Sequence, residues 1–171
     1  TNRLIIVVNG MLDERGQAFF LQYTNEVYIR ANTGFDAGAY KYALCQKLSE
    51  EEINSYDEIL LCNDTFYGPF IPMKDIFSGM ENVDCDIWGL NGYFDWVFEH
   101  LQSYFLVFRK RVIEEKLLVN YLNENIDENS LEINHIYCQF ENGLFDYLVR
   151  QKGMKCAKYL DENNYLDVYK Y

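Results

Sequence analysis

Three short loops rich in Asn, Asp and Gly are the segments of this sequence best suited to bind a ligand. They span residues 9–11, 32–38 and 63–69, and each follows a predicted β-strand. In an open α/β sheet, ligands bind beyond the carboxyl ends of the parallel strands. We therefore expect the three loops to open at one edge of the sheet. Each loop alone also has a purely structural explanation, because turns and helix caps use the same residues.

Two acidic residues in these loops suggest phosphate and metal chemistry. Asp64 directly follows a predicted buried strand, where it could hold Mg²⁺ or Mn²⁺ that bridges a diphosphate, or simply form an Asx-turn. Asp36 lies between Gly34 and Gly38, which would let a ligand approach the backbone at the start of a helix. The alternative is that Asp36 only caps that helix. Neither a G-x-G-x-x-G fingerprint nor a P-loop is present.

Two further residues could take part in proton transfer. His100 stands just before a predicted strand and could face a site at its end. Glu141 lies at the rim of the apolar stripe of a long amphipathic helix, where a carboxylate is either a general base or a partly buried ion-pair partner. No Ser/His/Asp or Cys/His signature accompanies them, so the sequence gives little support for a nucleophilic triad.

The composition sets the class of protein that carries these residues. The chain has 171 residues, of which 49% are hydrophobic, enough for one domain with its own core. The formal net charge of −12 disfavours nucleic acid and anionic lipid as partners. The apolar runs are far shorter than the ~20 residues that span a bilayer. The five cysteines form no C-x-x-C pair, which favours reduced core thiols in a cytoplasmic protein.

The elements that must position the loops alternate between strands and helices. Strands are predicted over 3–8, 26–30, 58–62, 86–89, 102–108 and 155–160, with helices over 13–23, 36–48, 73–80, 110–124 and 130–152. This alternation predicts a single α/β domain over 1–171 whose sheet is mostly parallel and flanked by helices. The β-branched run at 3–8 is typical of a strand buried on both faces.

Five motifs, in order along nearly the whole chain, resemble those of the rhamnan synthesis F family. They are N-T-G-F-D-A-G-A-Y at 32–40, Y-D-E-I-L-L-C-N-D-T-F-Y-G-P at 56–69, D-I-W-G at 86–89, H-L-Q-S-Y-F at 100–105 and F-E-N-G-L-F-D-Y-L at 140–148. These bacterial proteins of cell-wall and lipopolysaccharide O-antigen assembly are regarded as glycosyltransferases. The resemblance implies a GT-A-like, Rossmann-like fold. Such folds have an earlier first strand that is absent here, which suggests a domain truncated at its N-terminus.

The resemblance also implies roles for particular residues. By analogy Glu141 deprotonates the acceptor hydroxyl, and Asp64 occupies the second acidic position of a D-x-D-like element that binds a divalent metal. The segment Asn63-Asp64-Thr65 supplies one acid where a full D-x-D has two, which weakens the expectation of metal. Residues expected near the nucleotide, the donor sugar or the acceptor are Asn9, Asn32, Gly34, Asp36, Asn63, His100, Gln102 and Ser103.

The function implied is that of an inverting glycosyltransferase domain that uses a nucleotide sugar, with dTDP-rhamnose as one candidate donor. Its acceptor would be a glycan or a lipid-linked saccharide at the cytoplasmic face of the inner membrane. The alternative is a non-catalytic GT-A-like module that binds glycan or partner proteins within a larger synthase. Loss of activity on replacing Asp64 and Glu141 would separate the two.

Overall fold

The computed structural model of the protein describes residues 2–68, 70–93 and 100–160. Strands and helices alternate over residues 6–89, as the sequence predicts, and the described residues form a mixed α/β fold. Pro69, the last residue of the predicted 63–69 loop, lies outside the described residues. The strands are β1 (Ile6–Asn9), β2 (Val27–Arg30), β3 (Glu58–Cys62), β4 (Ile87–Gly89), β5 (Gly92–Tyr93), β6 (His100–Leu101), β7 (Phe105–Arg109) and β8 (Cys156–Lys158).

The helices are short, and two of them continue as π-helical turns. The α-helices are α1 (Glu14–Phe20), α2 (Phe35–Lys41), α3 (Glu50–Asn54), α4 (Met73–Met80), α5 (Lys110–Glu114), α6 (Leu117–Asn125) and α7 (Ile133–Tyr137). A π-helical segment, Tyr42–Lys47, prolongs α2, and the segments Cys138–Gly143 and Asp146–Gln151 follow α7. The predicted helix over 110–124 is divided at Lys116, whose backbone is left-handed with φ 56°.

Side-chain caps explain where two helices begin. The Asp13 carboxylate accepts a hydrogen bond from the backbone N–H of Gly16 at 2.7 Å and so caps α1. At α3, Ser49 and Glu52 form a reciprocal capping box, because each side chain accepts from the backbone N–H of the other.

The larger sheet is mixed, so the prediction of a mostly parallel sheet is wrong. Its strand order is β3–β7–β4–β8, in which β7 runs antiparallel to β3 and β4, while β4 and β8 are parallel. Parallel neighbours need a long crossover, usually a helix. Among the described residues no helix separates β4 from β7, and the antiparallel pair β5–β6 lies between them instead. A separate two-stranded parallel sheet contains β1 and β2.

The hydrophobic core lies on both faces of β7. Phe105 and Val107 pack with Trp88 and α4 on one face, and Leu106 and Phe108 pack with the helices of the second half on the other. All four β7 side chains are almost fully buried. In the helix that the sequence predicts over 130–152, Phe140, Leu144 and Leu148 join this core, whereas Ile133 and Tyr137 are exposed.

The first thirty residues contribute nothing to that core, which corrects the expectation for the first strand. None of residues 2–33 is buried, and β1 is only half-buried although its sequence is strongly apolar. Within the described residues β1 pairs with β2 alone, so its other edge is open. Six large hydrophobic side chains of this unit are exposed: Leu4, Met11, Phe19, Leu21, Tyr23 and Ile29.

The structure also bears on the expectations for the cysteines and for membrane-spanning segments. All five cysteines are free thiols, but only Cys85 is a buried core residue, and Cys62 and Cys138 are exposed. None of the helices in the described ranges combines the length and the apolar character needed to cross a bilayer.

Because residues 2–33 lie outside the hydrophobic core, shortening a leucine side chain there should destabilise the protein less than shortening one in the core. Replacing the fully buried Leu122 with Ala should lower the free energy of unfolding by about 2 to 5 kcal/mol, because it leaves a cavity. The matched change Leu21→Ala, at a side chain that is 46% exposed, should cost less than about 1 kcal/mol. Urea unfolding of both variants checks this, and equal losses would contradict the described distribution of the core.

Candidate functional site

Four of the predicted site residues lie together at the start of β7. His100 is in β6, and Gln102 and Ser103 follow it in the turn that leads into β7. Glu141 is brought to them by the π-helical segment Cys138–Gly143. Such π-helical turns are uncommon and occur frequently at functional sites. We call these residues the Glu141 cluster.

The Glu141 carboxylate is buried and held in one orientation. Its Oε1 accepts a hydrogen bond from the backbone N–H of Ser103 at 3.1 Å and a second, short one from the Ser103 hydroxyl. Its Oε2 has no hydrogen-bond partner among the described residues and lies 3.7 Å from His100 Nε2. One oxygen is therefore fixed and the other remains able to accept a proton.

Gln102 connects His100 to the neighbouring loop. Its side-chain nitrogen lies 3.1 Å from His100 Nε2 and donates to it when that nitrogen carries no proton. Its backbone N–H donates to the carbonyl of Asn91, just after β4. The imidazole is thus placed between an amide and a carboxylate, with only 5% of the residue exposed.

A second group of predicted residues surrounds the Asn63 side chain. The amide nitrogen of Asn63 donates to Asp36 at 2.6 Å, and its oxygen accepts from the backbone and hydroxyl of Thr65. The backbone N–H of Asn63 donates to the carbonyl of Tyr104, the residue after Ser103. The Asp36–Asn63 pair and the Glu141 cluster therefore meet where β3 ends and β7 begins.

Negative charge is concentrated at this junction. Burial raises the pKa of Asp36; the hydrogen bond from Asn63 lowers it, and the nearby Asp64 carboxylate raises it further. Burial, with smaller contributions from Asp36, Cys62 and Asp64, also raises the pKa of Tyr40. The Tyr40 hydroxyl is buried and has no hydrogen-bond partner among the described residues. Unsatisfied buried polar atoms of this kind are rare and are candidate contacts for a ligand.

The side chains at this junction supply only part of the set of ligands that a divalent cation needs. The described ranges contain no group of three or more His, Cys, Asp or Glu side chains arranged to hold a metal ion. Asp36 and Asp64 are close enough for their charges to interact, and Asp64 is exposed. One or two carboxylates with substrate phosphates are a common Mg²⁺ ligand set, so a cation here would need oxygens from a ligand.

The remaining predicted residues have different surroundings. The Asn9 amide nitrogen donates to the carbonyl of Phe35 at 3.0 Å, which attaches the end of β1 to α2. Gly34 has φ 61°, and a Cβ there would lie only 2.8 Å from the Glu128 backbone, so this glycine allows close packing of two chain segments. Among the described residues, the exposed Asn32 makes no hydrogen bond to the other predicted site residues.

Sequence reasoning missed two residues of this region, Arg30 and Tyr40. Arg30 ends β2, and its guanidinium donates to Asn9 Oδ1 at 2.7 Å. The rule that strand ends form sites could have found Arg30, since it stands at the carboxyl end of a predicted strand. Tyr40 gave no such signal, because a tyrosine on a helix face is usually a core residue.

Together, the fold and these contacts describe a mixed α/β protein with a candidate ligand site that contains one oriented, buried carboxylate, that of Glu141. A family match shows which known proteins this chain is related to. Residues 4–169 match the family described as Rhamnan synthesis protein F. The chain belongs to this family, as its motifs indicate.

The curated relatives are distant and longer. Two sequences described as Virulence protein VirA, both from Vibrio anguillarum, are 27% identical to this chain over 133 residues, which is 77% of it. The match covers 41% of each relative, so the chain spans less than half of their length. No solved structure matches this sequence.

The raised pKa of Asp36 predicts a stability difference that depends on pH. Because the folded state disfavours the charged carboxylate, stability is lost as pH rises through the folded pKa, and the uncharged variant Asp36→Asn escapes this loss. Its melting temperature should exceed that of the wild type at pH 7, and the difference should shrink at about pH 3, where both side chains are neutral. Thermal unfolding at several pH values measures this.

The matched control is Asp57→Asn, at a side chain that is 94% exposed. It should change the melting temperature little at either pH. A melting temperature of Asp36→Asn below that of the wild type at pH 7 would show that the Asn63 hydrogen bond outweighs the burial of the charge.

Proposed function

We propose that this chain is an inverting, sugar-nucleotide-dependent glycosyltransferase domain that acts in the synthesis of a bacterial surface polysaccharide. Membership of the rhamnan synthesis protein F family supports the polysaccharide role. The single observation that carries the catalytic part is the orientation of the buried Glu141 carboxylate by Ser103. A GT-A-like arrangement of the nucleotide pocket belongs to the same proposal.

In this proposal Glu141 is the general base. The acceptor hydroxyl attacks the anomeric carbon of the donor, its proton passes to Glu141 Oε2, and the bond from the anomeric carbon to the diphosphate oxygen breaks. The nucleoside diphosphate leaves with that electron pair. The two hydrogen bonds from Ser103 to Oε1 keep Oε2 directed towards the acceptor, and proton transfer by such a positioned base contributes about 10² to 10⁴ in rate.

The donor would bind across the strand ends. Asn9, Asp36 and Asn63 lie there in one hydrogen-bonded series that passes through the start of α2. Asp64 and Asp36 would hold a divalent cation together with the donor phosphates, and that cation would stabilise the leaving diphosphate. His100 and Gln102 would contact the donor sugar or the acceptor beside Glu141.

The particular substrates are also part of the proposal. The family description, which names rhamnan synthesis, supports rhamnose as the transferred sugar. We propose dTDP-rhamnose as the donor and a glycan or a lipid-linked saccharide as the acceptor. Activity at the cytoplasmic face of the membrane belongs to the same proposal.

Nucleotide binding is the first test. Thermal unfolding should be followed with UDP, dTDP, GDP and CMP, each with and without Mn²⁺. A nucleotide present at ~100 times its dissociation constant stabilises a single site by about 2.7 kcal/mol, or roughly 5 to 10 °C for a domain of this size. We expect a shift with one nucleotide class. No shift with any of them would contradict the proposed donor pocket.

The catalytic role is tested by Glu141→Gln, which keeps the size of the side chain and removes the base. Release of nucleoside diphosphate from the nucleotide sugar should fall by about 10²-fold or more, while the nucleotide-induced thermal shift stays. The matched control Glu124→Gln, at an exposed position on α6, should keep full turnover.

Two results would reject catalysis by this residue. Unchanged turnover in Glu141→Gln would remove Glu141 from the chemistry. Nucleotide binding without turnover in the wild type would favour the alternative, a non-catalytic module that binds glycan or partner proteins.

A further inference from the structure

Within the described part of the chain, the groups that accept hydrogen bonds from Arg30 at the end of β2 are all uncharged. Its Nη1 donates to Asn9 Oδ1 at 2.7 Å and to the Thr33 carbonyl at 2.8 Å, and its Nη2 donates to the Glu128 carbonyl at 3.2 Å. These three acceptors are an amide oxygen and two backbone carbonyls. None carries a negative charge to balance the guanidinium.

Four other arginines of the described chain form ion pairs with a carboxylate. In each pair the two charged groups are within 3.3 Å: Arg3–Glu26, Arg109–Glu58, Arg111–Asp86 and Arg150–Asp146. For Arg30 no carboxylate of the described residues comes within ion-pair distance. The nearby Glu128 side chain raises its pKa through space but accepts a hydrogen bond from Gln46 instead.

This arrangement leaves a positive charge partly removed from water. Arg30 is half-buried, and burial lowers the pKa of its guanidinium, which nevertheless stays protonated at neutral pH. A charge that is removed from water without a counter-charge destabilises the folded protein. Of the five guanidinium N–H groups, the three bonds above use three, so two donors remain for another acceptor.

The position of Arg30 is fixed and suits a ligand. Its side chain lies against α2 so closely that a Cβ on Gly38 would come within 3.1 Å of Nη2. Asn9 and Arg30 occupy the carboxyl ends of the parallel strands β1 and β2, the edge where α/β domains bind ligands. A guanidinium presents a planar pair of donors that matches two phosphate oxygens.

We propose that Arg30, positioned by Asn9, binds a phosphate or diphosphate anion at the end of β2. That this anion is the diphosphate of a nucleotide sugar rests on the proposed function, whereas the anion site itself does not. Arg30 would supply positive charge at the strand ends, where Asp36 and Asp64 supply negative charge. In a chain of net charge −12, this local cation gives a diphosphate a place to bind.

The test uses inorganic pyrophosphate, so that it does not depend on a sugar or a base. Titration calorimetry of the wild type should detect binding that weakens as salt is raised, since the contact is charged. Arg30→Gln should weaken binding at least about tenfold, because it removes a charge-assisted hydrogen-bond pair. Arg15→Gln removes an exposed arginine of α1 and should bind as the wild type does.

A second measurement covers the case in which Arg30→Gln does not fold. In the wild type, the NMR signal of the Arg30 Nε–H, assigned by its loss in Arg30→Lys, should shift on addition of pyrophosphate, while that of Arg15 stays. No binding up to about 10 mM pyrophosphate, affinity unchanged in Arg30→Gln, or an unmoved Arg30 signal would each overturn the inference.

The outcomes separate this inference from the proposed function. Pyrophosphate binding through Arg30 without binding of any nucleotide would support the anion site and reject the donor pocket. Nucleotide binding that does not change in Arg30→Gln would support the donor pocket and reject the role of Arg30.

Discussion

Strand β7 connects the two halves of the core, and the position of its first residues determines the geometry of the candidate site. Its side chains alternate between the two core groups, Phe105 and Val107 on one face and Leu106 and Phe108 on the other. Because β7 is hydrogen-bonded to both β3 and β4, its register is fixed from two sides. The turn before it therefore places Ser103 against Glu141 and the Tyr104 carbonyl against Asn63.

The site contains charges whose burial opposes folding. Asp36 is disfavoured as an anion by burial and by Asp64, and Arg30 lacks a carboxylate partner among the described residues. Glu141 is 8% exposed, and its Oε2 accepts no hydrogen bond from the described residues. Structural ion pairs elsewhere in the domain, such as Arg109–Glu58, are complete and connect neighbouring strands. Uncompensated groups gathered at one edge are better explained by a ligand that completes their contacts, because functional sites are where such costs are retained.

The positions of the site loops could be predicted from the sequence, but the direction of the strands could not. Apolar runs followed by Asn, Asp and Gly fix where strands end, and hydrogen bonds connect Asn9 and Asn63 through the start of α2, although β1 and β3 belong to separate sheets. Strand β7 runs antiparallel to β3 and β4 because segments far apart in the sequence pair with one another. The local pattern of apolar residues gives no information about such pairing. The half-exposure of β1 has the same origin, since its sequence cannot show that one edge has no partner strand in the described fold. Arg30 was missed because its role depends on which acceptors surround it.

The polar contacts of the site also attach the first thirty residues to the rest of the domain. Residues 2–33 bury no side chain fully, so apolar packing holds this unit only weakly. Polar contacts join it to the later chain at both ends of the strand pair: Arg3 to Glu52 at one end, and Asn9 to Phe35 and Arg30 to Glu128 at the other. Units with few buried contacts open at low free energy. A ligand that contacts both Arg30 and the Asp36–Asn63 pair would therefore stabilise the docking of residues 2–33, because it would need both groups in their present positions.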